Sequence, residues 1–84
     1  MDKTVTRGLR TLMQAHEESV RIRPGGDAPL GVWLGYYERS VALYELIAKI
    51  DQFHAGEARY WAWRERRHAE NIAARIGAER SGKE

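Results

Sequence analysis

The side chains with the most chemistry to offer are the histidines and one carboxylate. His16 falls among Leu9, Leu12, Met13 and Val20, whose steps of three and four mark one helical face, so an imidazole stands where an apolar side chain belongs. Glu65 stands the same way among Trp61, Ala62, Ala69 and Ile72. A carboxylate buried alone takes up a proton or finds a partner. Each of the two lies roughly ten residues into its helix, so at about 1.5 Å per residue an up-down-up bundle brings them to nearly the same height. The pattern predicts a buried polar layer, His16 against Glu65, with a hydroxyl from the level of Tyr37 and Ser40 completing it.

Glu65-Arg66-Arg67-His68 also has the Glu-x-x-His spacing that places two metal ligands on one helix face, and Asp51-Gln52-Phe53-His54 repeats it with Asp. Di-metal carboxylate sites draw on four helices, so this chain supplies a half-site. The metal alternative is therefore a dimer using His54, Glu65 and His68, with His16 as a further candidate. The favoured expectation is no metal, no cofactor and no catalysis. No cysteine is present, and Ser19, Ser40 and Ser81 sit in no nucleophile elbow. Gly25-Gly26 lacks the Lys-Ser/Thr of a phosphate loop.

A second constellation lies on the other side of the same helix. With Trp61 turned inward, Trp63 points outward, framed by Arg59, Arg66, Arg67 and Glu70 with Tyr60 alongside. Exposed aromatic rings set among arginines have the composition of a binding hot spot. The bland alternative is arginine stems covering the indole, with only a cation–π gain. Arginines with interleaved aromatics also suit single-stranded nucleic acid. Glu57, Glu65 and Glu70 dilute the basic stripe, however, and no helix-turn-helix pattern appears, which disfavours that reading.

Three helices must position these residues. The first is predicted over about residues 5–22, capped by Thr4 or Asp2. Arg23-Pro24-Gly25-Gly26-Asp27-Ala28-Pro29 is the strongest break in the chain. Asp27 is the predicted cap of a second helix over about 28–52, with Pro29 in its first turn. That helix carries Leu30, Trp33, Leu34, Tyr36, Tyr37, Val41, Leu43, Tyr44 and Ile47 around half its circumference, a stripe wide enough for two neighbours or a homodimer. The third is predicted over about 55–77, ended by Gly77, with residues 79–84 fraying. The join near Asp51 carries one glycine and no proline. The alternative is a continuous helix through it, about 75 Å long, in an intertwined dimer.

The 84 residues make one domain, all-α and bundle-like, with 43% apolar and 31% charged residues, a balance typical of folded chains. The net charge of +2 is divided between basic ends and an acidic middle, which argues for no polyanion in particular. The lack of cysteine points to the cytoplasm. The N-terminal residues Met1-Asp2-Lys3-Thr4 show no apolar leader, and no run reaches membrane-spanning length, so no membrane association is expected.

Ala15-His16-Glu17, Asp27-Ala28-Pro29-Leu30 through Trp33, and Glu57-Ala58-Arg59-Tyr60-Trp61-Ala62 are similar to a family of small uncharacterised actinomycete proteins. In that family an Ala-His-Glu helix precedes a Pro-rich loop, a Trp/Tyr-rich helix, a His-rich bend and Glu-Ala-x-Tyr-Trp-Ala. The resemblance covers most of residues 12–72 and implies a small helical protein. It carries no activity, and its His-rich bend is reduced here to His54. The expected function is non-catalytic protein binding through Arg59, Tyr60, Trp63, Arg66 and Arg67.

Overall fold

The computed structural model describes residues 10–82, and every regular element among them is helical. Helix α1 spans Leu12–Arg21, α2 spans Leu30–Ile50 and α3 spans Ala55–Gly82, with a single 3-10 turn, Gln52–His54, between α2 and α3. Arg10, Thr11 and their successors place the start of α1 later than the sequence pattern predicts. Thr11 is extended (φ −129°, ψ 158°) and closes a capping box with Gln14. The Gln14 amide donates to Thr11 Oγ1 at 3.1 Å, and the Thr11 amide donates to Gln14 Oε1 at 3.2 Å. Both groups satisfy backbone donors that a helix end leaves orphaned. The expected caps Thr4 and Asp2, and the apolar Val5 and Leu9, lie outside the described residues.

The face of α1 is also rotated from expectation. Met13 and Val20 are 70% and 73% exposed, whereas Leu12, Ala15 and Ser19 are buried and His16 half-buried. Small Ala15 and Ser19 let α1 approach the large aromatic side chains of α2 closely, and the methionine and valine are left outside.

At the next break, Pro29 stands at the N-cap of α2 with no side-chain cap, in place of Asp27, which stays in the preceding turn. Asp51 adopts a non-helical conformation (φ −115°, ψ 88°) and separates α2 from α3. Gly77 does not end α3. The helix continues through residues 79–82, which were expected to fray, because Ala78, Glu79 and Arg80 favour helix and no proline follows.

Contacts fix the topology. Tyr37 meets His68 and Tyr44 meets Trp61, so α2 and α3 run antiparallel. His16 meets Tyr44 and Ser19 meets Tyr36, so α1 runs antiparallel to α2 and hence parallel to α3. The core gathers Leu12, Ala15, Leu43, Tyr44, Ile47, Ala58 and Ala62 near the α2–α3 turn, with Trp61 and Ile22 packed against it. The long α2–α3 hairpin gives the molecule its 48 × 25 × 19 Å extents. No helix among the described residues is long and apolar enough to cross a membrane.

Candidate interaction surface

The inward polar side chains do not meet as the sequence pattern suggests. His16 Nδ1 hydrogen-bonds the Tyr44 hydroxyl at 2.6 Å, and its ring stands edge-on to Trp61 at 4.9 Å. Glu65, one turn farther along α3 than Trp61, is only 6% exposed and makes no hydrogen bond or ion pair with His16. The indole of Trp61 takes the place opposite the imidazole, and the Tyr44 hydroxyl takes the hydrogen bond. Beside this pair, Ser19 Oγ lies 3.1 Å from the Tyr36 hydroxyl and 3.5 Å from Ser40 Oγ. Among the described residues no enclosed side-chain nitrogen or oxygen lacks a partner, as a low-dielectric interior requires.

The electrostatics follow from burial. Loss of hydration pushes the Tyr44 hydroxyl up to about 12, and the Glu65 carboxylate acts in the same direction. Burial and then Glu65 likewise raise Tyr37 above the ordinary tyrosine value. Ser19 and Ser40 bond to each other and to Tyr36, not to the imidazole, so the arrangement joins helices and does not activate a hydroxyl.

The outward face of α3 is different in kind. Tyr60 is 53% and Trp63 54% exposed, with ring centroids 6.1 Å apart. The Arg67 guanidinium lies over the Trp63 ring at 5.8 Å. Arg66 pairs with Glu45, tying α3 to α2 at the border of this surface. Arg59 is exposed one turn before Trp63, and neither it nor Arg67 lies within ion-pair distance of a carboxylate among the described residues. The rings are backed from inside: Tyr60 packs edge-on to Trp61 at 5.7 Å, and Arg64 covers the other indole at 5.0 Å. The result is two adjacent half-exposed rings on a rigid helix, bordered by unneutralised guanidinium groups.

The candidate metal ligands are dispersed. His54 Nδ1 pairs with Asp51 Oδ2 at 2.9 Å in the α2–α3 turn. His68, fourteen residues on, stacks on Tyr37 with ring centroids 4.9 Å apart and 18° between planes. Among the described residues no three His, Asp or Glu side chains gather as ligands.

Sequence reasoning did not single out Ser19, Tyr36, Tyr44 or Arg64. The serines continue the spacing of Leu12 and Ala15, a signal that a hydrophobicity pattern discounts because serine is polar. Tyr36 and Tyr44 were counted only as apolar area. No protein-family model, curated protein or solved structure matches this chain.

Proposed function

We propose that this chain is a non-catalytic protein-binding module that engages its partner through Tyr60, Trp63 and Arg67, with Arg59 and Arg66 at the border. The observation that carries this reading is the pair of adjacent, half-exposed rings on the outer face of α3, with Arg67 over Trp63. Tyrosine, tryptophan and arginine dominate interface hot spots because each combines large area with a polar handle. Arg59 and Arg67 call for carboxylates, so the partner surface presents an apolar or aromatic side chain flanked by Asp or Glu. The chain's lack of cysteine supports a cytoplasmic setting.

Tagged wild-type protein beside Trp63→Ala and Arg67→Glu, each checked for helicity, tests this in a pull-down from source-cell lysate. A protein retained by wild type and lost by both variants is expected. Equal retention by all three overturns the assignment of the surface.

Self-association is the second reading. A shallow groove of about 440 Å³ between α2 and α3 is floored by Leu34, Val41, Ala69 and Ala73 and edged by Glu38, Glu70 and Arg66. Its mixed charges suit a second copy. A mass that rises with concentration in wild type, but not in Val41→Glu, is the expected result in sedimentation.

A further inference from the structure

Far from the Trp63 surface, the loop between α1 and α2 closes one end of the α2–α3 hairpin over a hollow of about 310 Å³. Its walls are Trp33, Tyr37, Leu30 and Ile72, with Arg23 and Arg75 contributing from the loop and from α3. We propose that this hollow is a binding site for a small planar anion, an aromatic ring bearing a carboxylate or phosphate group.

The aromatic side of the site is built and held. The Trp33 and Tyr37 rings lie 5.9 Å apart and are inclined by 33°. Each is fixed from behind, Trp33 by Tyr36 edge-on at 5.6 Å and Tyr37 by the stacked His68. A ligand ring entering beside them gains stacking and apolar contact without reordering the wall. The volume sits at the small end of the range for ligand pockets, about 300–1,000 Å³, which matches a single ring with one substituent.

The charge comes from two arginines that have no counter-ion. Neither Arg23 nor Arg75 lies within ion-pair distance of a carboxylate among the described residues. Arg23 instead lies over the Trp33 ring at 5.2 Å. Two planar guanidinium forks at one small hollow match a carboxylate or phosphate, which accepts paired N–H donors. Asp27, the acidic residue of the loop, is not part of the lining, whereas its neighbours Gly26 and Ala28 are. The start of α2 adds to the field. Pro29 offers no side-chain cap, and the carbonyl of Pro29 accepts from the Val32 and Trp33 amides, so the Leu30 and Gly31 amides find no capping side chain. Arg75 is twelve residues beyond Trp63, about 18 Å along α3, so this site and the proposed protein-binding surface can be tested separately.

Calorimetric titration at low ionic strength with phenyl phosphate, benzoate, phenol and inorganic phosphate tests the proposal. Saturable one-site binding of phenyl phosphate or benzoate is expected, with a Kd on the order of 1 mM or tighter. Phenol and inorganic phosphate are expected to bind at least about tenfold more weakly, since each offers half of the recognition. Whichever of the two ring anions binds more tightly identifies the anionic group. Arg23→Gln and Arg75→Gln should each weaken binding about tenfold, and Trp63→Ala should leave it unchanged. In wild-type protein, amide chemical shifts should move at Gly26, Ala28, Leu30 and Gly31. No saturation with either ring anion by about 10 mM, equal affinity in the arginine variants, or shifts confined to other residues would each overturn the proposal.

Discussion

The Nδ1 atom of His16 and the hydroxyl of Tyr44 lie 2.6 Å apart, joining α1 to α2 at the height where Trp61 of α3 packs edge-on to the same imidazole. One polar contact and two ring contacts therefore converge on a half-buried side chain of the shortest helix. Tyr44→Phe should cost about 1 kcal/mol, the usual net worth of a hydrogen bond. His16→Ala should cost about 2 kcal/mol, because ring packing goes with it. A double-mutant cycle by urea unfolding should return a coupling of about 0.5 kcal/mol or more. Additive costs would show that the contact contributes nothing beyond packing.

Alkaline pH should loosen the fold. The Tyr44 hydroxyl titrates at about 12 when folded against an ordinary value of 10.0, so the neutral form is favoured by folding. This contribution is complete below pH of about 10 and is lost as pH rises through about 12. Tyr37 is raised in the same direction. Denaturant midpoints measured on both sides of pH about 10 should fall, by at most about 1.4 kcal/mol per pH unit for one tyrosine. A flat profile across that window would mean that Tyr44 is more hydrated than its burial implies.

Glu65 should be visible through those same tyrosines. Replacing it by Gln removes a negative charge that raises both Tyr37 and Tyr44. Spectrophotometric titration of Glu65→Gln should therefore show tyrosine ionisation beginning at lower pH than in wild type. Glu65→Leu should leave stability unchanged or raise it by about 1 kcal/mol, since an enclosed carboxylate without a charged partner costs more than a leucine there. A loss of more than about 2 kcal/mol would show that Glu65 makes a stabilising contact instead.

Much of this was legible in the sequence, and the misses have specific causes. The three helices follow from periodicity and from the Pro24-Gly25-Gly26 break, and the inward position of Ala58 and Ala62 follows from the spacing around Trp61. The rotation of α1 was not legible, because Met13 and Val20 outweigh Ala15 and Ser19 on any hydrophobicity scale. What decides the outcome is the bulk of Tyr36 and Tyr44 on the facing helix, which favours small residues opposite. Of the candidate site residues, Trp63 and Tyr60 could be placed outward once Trp61 was turned inward. The exchange of Glu65 for Tyr44 as the partner of His16 could not be read, since it depends on a height difference of one helical turn. The hollow at Arg23 and Arg75 joins residues more than fifty positions apart, and no local spacing announces it.

Thr11→Ala should destabilise the protein by about 1 kcal/mol, because it removes one half of the capping box that begins α1. Thr11→Ser should restore most of the loss in thermal unfolding. If Thr11→Ala were neutral, the start of α1 would be held by other contacts.

Gly77→Ala should stabilise the protein by about 0.5–1 kcal/mol. The residue lies inside α3 with no positive φ, and an added Cβ would meet nothing within 4 Å. Were Gly77 the left-handed residue of a helix terminus, the same substitution would be strained and the thermal midpoint would fall.

Helix α1 has 10 residues against 21 in α2 and 28 in α3, and it lies against the end of the hairpin nearest the core. The chain is thus two cooperative units of unequal strength. Amide protons of α1 should exchange with deuterium through a partial opening in which that helix lifts away while the hairpin stays formed. In that opened state Tyr44, Trp61 and Ala62 lose their cover, and the protein exposes an aromatic surface that its resting form hides. The population of the opened state is set by few contacts, so His16, Ser19 and Thr11 govern it more strongly than they govern global unfolding.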